Sequence, residues 1–183
     1  MFRLALLALG VTVALLVVLS LLPARTRPVP GGTIVLSGAR VTLYPQADPA
    51  AVWNFAAERV DYQPDSGETV LRAIGDAART VDGEVDFTLA SERITIDAQE
   101  NLRGEQIEVY IPDADWTLDM RNEPGTPVLI DQQQGRFSAP FLDISGPNVA
   151  SSAQDAGMDF DLKNFVSGGE GTRNSDSFRD RAD

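Results

Sequence analysis

Residues 53–62, Trp-Asn-Phe-Ala-Ala-Glu-Arg-Val-Asp-Tyr, carry the pattern that decides the fold. The apolar residues at positions 53, 55 and 57 alternate as in a β-strand, where successive side chains point to opposite faces. The next apolar residues are Val60 and Tyr62, so the parity slips by one after Ala57. Both halves of such a strand can face one interior only if a bulge or corner separates them. The stretch therefore predicts a strand that bends near residues 57–59.

The same template recurs along the chain. An apolar-x-apolar-x-small-x-Arg/Gln-apolar-x-apolar pattern fits residues 34–43 and 87–96, and a shorter copy fits 102–109. A single bulged strand would be ordinary in any β-sandwich, but four with the same slip predict a folded-over, all-β sheet with an apolar interior. The residues that we expect to line this interior are Trp53, Phe55, Val60, Tyr62, Leu89, Ile94, Ile96 and Ile107.

The N-terminal segment has a different character. Residues 4–22 carry no charge, and a helix of that length spans about 28 Å, close to the thickness of a bilayer core. We therefore predict a transmembrane anchor over residues 1–22. A cleaved signal peptide is the alternative, although the apolar run is long and lacks a small-x-small cleavage site. Arg3 precedes the run and Arg25 follows it, so flanking charge leaves the orientation of the anchor open.

Composition predicts three further segments. Residues 23–32 are rich in proline and glycine and form a linker. Residues 33–146 alternate between short apolar runs and turn signals, which indicates the β domain. Residues 147–183 are rich in Ser, Gly, Asn and Asp, and we expect a largely disordered tail there.

Several classes of function are disfavoured by the residue types. The net charge of −12 would repel nucleic acid phosphates, and the absence of cysteine removes disulfides and thiolate metal sites. The chain also lacks histidine, the usual base at neutral pH. The acidic pairs at 113/115 and 159/161 lack the glycine and distal glutamate of a calcium loop. We predict no catalytic residues, no metal ligands and no cofactor. An anchored hydrolase that uses two carboxylates is the least favoured possibility, since no spacing selects a pair.

The layout resembles the LptC family, the C component of lipopolysaccharide transport, which is related to LptA/OstA-like repeat proteins. The resemblance is carried by residues 53–62, which are similar to the family's aromatic-x-apolar-x-Ala-Asp/Glu-basic-apolar stretch. Residues 90–94 (Ala-Ser-Glu-Arg-Ile) and the turn into 102–110 follow the same style. The likeness covers about residues 1–146.

This resemblance implies a twisted, partly open β-jellyroll, anchored in the inner membrane by one helix, with its β domain in the periplasm. It implies a non-enzymatic role in which lipopolysaccharide or another envelope lipid is received from the permeases of an ABC transporter. The lipid would contact the eight interior residues and pass to an LptA/OstA-like bridge protein that docks by edge-strand pairing. The alternative is an anchored structural or interaction module of the envelope, with a closed core and no lipid cargo. An open apolar groove would favour the first interpretation, and a packed interior the second.

Overall fold

The computed structural model describes residues 32–168, and all of their regular secondary structure is β. No helix in this part of the chain is long and apolar enough to cross a membrane. The predicted anchor over residues 1–22 and all but the last residue of the linker lie outside the described residues. The strands are β1 (Ile34–Leu43), β2 (Ala51–Gln63), β3 (Glu68–Val81), β4 (Glu84–Ala90), β5 (Arg93–Ile96), β6 (Leu102–Gly104), β7 (Gln106–Ile111), β8 (Trp116–Arg121), β9 (Val128–Asp131), β10 (Arg136–Gly146) and β11 (Val149–Asp159).

The strands form a meander of long, bent strands that run antiparallel to their neighbours. β4 and β5 are two halves of one bent strand, as are β6 and β7. β8 and β9 also follow one line along β10, but residues 122–127 separate them with a turn in which Glu123 pairs with Thr126. The first half of β3 pairs with β5 and its second half with β4. In the same way, the first half of β10 pairs with β9 and its second half with β8. The domain thus has two sheet halves that share their long strands at both ends.

The expected partly open jellyroll is wrong, because the strand pairings close on themselves. The ring runs β3-β4-β7-β8-β10-β9-β6-β5 and returns to β3. β3 and β10 cause the closure, since each is long enough to pair along one edge with strands of both sheet halves. β1 and β2 extend the sheet beyond β3, and β11 extends it beyond β10.

The bend expected in β2 is present. Trp53, Phe55 and Ala57 are buried, and the next buried apolar residue is Val60. The pairing of β2 with β3 shifts its register between Ala56 and Ala57, and the extra residue there, Gly75, belongs to β3. The sheet is therefore irregular at the bend, with the bulged residue in the neighbouring strand. Apolar side chains from both halves of β2 therefore join one hydrophobic core.

The β domain extends beyond the predicted boundary at residue 146. β11 covers Val149–Asp159 and pairs with β10 along its whole length, and the described chain continues to Gly168. This strand escaped prediction because most of its side chains are small or polar, so that backbone pairing rather than an apolar stripe holds it in the sheet. The rest of the predicted tail, residues 169–183, lies outside the described residues.

Candidate functional site

The interior residues expected to contact lipid are brought together by the fold, with one exception. Seven of the eight are at most 6% exposed and belong to one hydrophobic core, whereas Tyr62 is 38% exposed at the margin of the sheet. Side chains so fully covered by their neighbours form a packed core in this closed state, and they line no open groove. The seven buried residues are Trp53, Phe55, Val60, Leu89, Ile94, Ile96 and Ile107.

Aromatic rings fill one end of this core. Phe87 lies edge-on to Trp53, with ring centroids 5.3 Å apart, and to Phe137 at 5.2 Å. Phe160 packs on Phe137, at a centroid distance of 4.8 Å, and comes from the segment that follows β11. A residue of the predicted tail thus covers the core, which sequence reasoning missed.

Arg79 is buried beside this aromatic cluster. Its guanidinium carbon lies 5.0 Å from the ring centroid of Phe160 and 5.7 Å from that of Phe87. It also forms ion pairs with Asp48 and Asp86. A buried charge is tolerated when it is paired, and here the pairs hold the β1–β2 loop and β4 to β3. Arg79 is therefore a structural residue with its charge already satisfied.

β1 forms one outer edge of the sheet. Among residues 32–168 its only strand partner is β2, so its other edge presents unpaired backbone groups. Three apolar residues at the start of β1, Ile34, Val35 and Leu36, are about half exposed. The sequence pattern of residues 34–43 matches the bent-strand template, so it predicts an interior strand here. Its exposure follows from its position as the first strand, which a local pattern does not reveal.

The core continues into this exposed edge. Leu36 lies opposite the buried Val60 in β2, and Val60 lies opposite Leu71 in β3. Leu71 in turn pairs with Ile94 in β5. One row of apolar side chains therefore runs from the middle of the core to solvent at Leu36, which is 50% exposed.

Several ionisable groups of the described domain form ion pairs. Hydrogen bonding from Arg59, together with Arg72, holds the pKa of Asp61 below its ordinary value. In the same way, Lys163 lowers the pKa of Asp161. Within residues 32–168, no three acidic side chains converge as metal ligands would.

A surface cleft of about 1150 Å³ lies at the corner where β4 and β5 separate. Its lining combines Arg72, Arg93 and Arg121 with three glutamates and the ring of Phe141. The charges of opposite sign balance, and the cleft therefore favours neither anions nor cations. The β1 edge is the stronger candidate for a functional surface.

No family model matches the chain, and no curated protein sequence matches it either. The resemblance to the LptC family therefore stays an expectation, and the β1 edge with the core behind it is the surface on which a function can be proposed.

Proposed function

We propose that the domain is a non-enzymatic interaction module that binds an extended strand of a partner β-domain along β1. The observation that carries the proposal is the edge of β1 that no strand covers within residues 32–168, where Ile34, Val35 and Leu36 are about half exposed. In strand addition, backbone hydrogen bonds supply affinity, and side chains on alternate faces supply specificity. A long apolar edge left bare would invite aggregation, which is a reason to expect a dedicated partner.

The resemblance supplies the setting of this proposal. It places the β domain on the periplasmic side of the inner membrane, with an LptA/OstA-like protein as the partner at the edge.

Lipid export is the second candidate function, and one observation favours it. The apolar row that ends at Leu36 would continue into the interior of a partner domain joined at β1. Lipid received from an ABC transporter could then pass between two adjoining cores. This role requires the two sheet halves to move apart around Phe55 and Ile94, which would give the domain a second, open state.

Site-specific photo-crosslinking tests the docking proposal. A crosslinker at Val35, which is 48% exposed in β1, should capture an LptA/OstA-like partner strand in the full-length protein. A crosslinker at Val85, 45% exposed in β4, is the matched control and should not. Leu36→Lys should abolish capture, because charge on an edge strand opposes pairing, whereas Val85→Lys should not. Equal capture at Val35 and Val85 would refute the proposal.

The lipid role has its own test. Crosslinkers at Phe55 and Ile94 in the full-length protein in membranes should capture lipid if the interior opens. The outward Arg59 is the reference position, since its side chain is 54% exposed. If Phe55 is labelled by lipid no more strongly than Arg59, the lipid role is excluded. If Val35 still captures the partner in that case, the function as an interaction module stands.

A further inference from the structure

The outer edge of β11 is covered by the chain's own next segment, residues 160–168, which we call the strap. Val166 and Gly157 exchange two backbone hydrogen bonds, with N–O distances of 2.8 and 3.0 Å. The amide of Gly168 also donates to the carbonyl of Gln154 at 3.0 Å. The strap therefore occupies the edge of β11 along residues 154–159, while β1 has no such cover within residues 32–168.

The strap behaves like a short additional strand. It pairs antiparallel with β11 at Val166, and the adjacent Phe165 packs against the hydrophobic core. Arg136 in β10 adds one contact to the strap, from Nη2 to the carbonyl of Asn164 at 3.4 Å, while its Nη1 binds the carboxylate of Asp159 within β11 at 3.0 Å. Together these contacts satisfy backbone groups that an edge strand otherwise leaves for another chain.

The register of the sheet shows what the strap excludes. A continuous row of paired residues leads from Ile34 in β1 through every intervening strand to Met158 in β11. The row crosses eight strands, and each runs antiparallel to the next, so β1 and β11 run in opposite directions. A second copy in the same orientation would therefore add its β1 antiparallel to β11. If the second copy pairs in the register that extends this row, its Ile34 lies opposite Met158 of the first copy. Met158 is in the part of β11 that the strap covers.

We propose that the strap is an autoinhibitory cover, which takes the place on β11 that β1 of a second copy would otherwise occupy. The inference rests on the proposed function in one respect, that β1 accepts an added strand. Pairing β1 of one copy with β11 of the next uses two different surfaces, and such a joint extends into open chains unless its rotation closes a ring. The strap keeps this self-association from competing with partner binding.

Residues 163–168, the outer part of the strap, are weakly held on β11. Leu162 and Asn164 have φ angles of 63° and 51°, the left-handed region that side-chain-bearing residues seldom adopt. Val166 remains 49% exposed, so it adds little apolar burial. The hydrogen bond from Arg136 to the carbonyl of Asn164 is long, at 3.4 Å. Phe160 packs in the core and lies outside residues 163–168, so the rings of Phe87, Phe137 and Phe160 can stay together when that segment leaves, whereas Phe165 must give up its contact with the core.

Two full-length variants and a truncation test the proposal. Val166→Pro combined with Gly168→Pro removes the two amide donors that bind Gly157 and Gln154 and leaves the Leu162 amide bonded to the carbonyl of Asp159. Val166→Ala is the matched control because it keeps all of these backbone hydrogen bonds. A chain ending at Lys163 lacks the pairing segment altogether. Opening of the strap is read from the rate at which a lysine-specific protease cuts after Lys163, the only lysine in the sequence.

Head-to-tail pairing is read by crosslinking, since the chain has no cysteine of its own. Ser37→Cys in β1 and Gln154→Cys in β11 are introduced into separate copies, which are mixed and treated with a short bifunctional maleimide. We expect mixed dimers to become the main product in the double-proline and truncated chains, and to remain a trace in wild type and Val166→Ala.

Two outcomes would overturn the inference. One is a truncated chain that gives no more mixed dimer than wild type. The other is crosslinking only between like positions, Ser37 to Ser37 or Gln154 to Gln154. If wild-type Val35 still captures its partner strand in either case, the strap inference fails while the docking function of β1 stands.

Discussion

The indole Nε1 of Trp53 donates a hydrogen bond to Oε1 of Gln132, 3.1 Å away and 79 positions further along the chain. Trp53 lies in β2, in one sheet half, and Gln132 directly follows β9, in the other. The bond therefore joins the two halves across the interior, at the end that holds the aromatic cluster. Both side chains are buried, so the bond lies in a region of low dielectric constant, where an unpaired donor is costly.

Replacing Gln132 by alanine should destabilise the domain by about 1 kcal/mol, because the indole N–H of Trp53 would be buried without an acceptor. The loss stays at the low end of the usual range because the substitution also removes Nε2 of Gln132, which is buried without a hydrogen-bond partner. Urea unfolding of the two proteins measures the difference. Gln134→Ala is the control, since Gln134 is exposed two positions away. Equal losses in the two variants would show that the hydrogen bond to Trp53 contributes nothing specific.

Arg79→Ala should lower the free energy of unfolding by roughly 2 kcal/mol, less than the loss of a fully buried ion pair, because its two carboxylate partners stay about a third exposed. Loss of the guanidinium contact with Phe160 adds to this effect. Arg121→Ala provides the comparison: Arg121 pairs with Asp143 where both side chains are over 40% exposed, and the change should stay within about 1 kcal/mol. The prediction fails if Arg79→Ala and Arg121→Ala lower the free energy of unfolding by the same amount.

Asp61 should make the stability of the domain depend on acid pH. Arg59 and Arg72 lower its pKa in the folded state below the ordinary value of 3.8, so the folded protein favours the ionised carboxylate. The resulting stabilisation is complete well above pH 3.8 and is lost as the pH falls through the lower, folded-state pKa. The difference in unfolding free energy between wild type and Asp61→Asn should therefore be largest near neutral pH and shrink in acid. A difference that is constant from pH 7 to pH 2 would contradict this cause.

The bend of β2 could be predicted from sequence because its signal is local. The parity slip after Ala57 lies within ten residues, and its consequence, a change of face, follows from the period of a strand. Closure of the sheet could not be predicted in the same way. It depends on β3 pairing with both β4 and β5 along one edge, and no single stretch of residues encodes that choice.

The candidate site shows the same division. Alternation correctly placed seven residues in the interior, but it could not show that Tyr62 lies at a margin where the next strand, β1, leaves it 38% exposed. The importance of Gln132 was also hidden, because a polar residue at an interior position disagrees with the apolar template. Its role depends on Trp53, a partner far away in sequence.

Gly104 tests why small residues occupy the corners. A Cβ at this position would lie 2.9 Å from Cγ1 of Ile107 and 3.2 Å from the carbonyl oxygen of Arg93, inside ordinary van der Waals contact. Ile107 is fully buried and the carbonyl belongs to the backbone of the bent β4–β5 strand, so neither can move freely. We expect Gly104→Ala to destabilise the domain by about 1–3 kcal/mol, the usual range for overpacking.

Gly75, at the bend of β3, is the matched control for Gly104. A Cβ there meets no atom within 4 Å, so Gly75→Ala should leave the urea midpoint unchanged or raise it slightly by restricting the unfolded chain. If the corners need small residues because strands approach closely there, only Gly104→Ala lowers the midpoint. If they need glycine for backbone freedom, both substitutions lower it, and the spatial explanation of the repeat's small position is wrong.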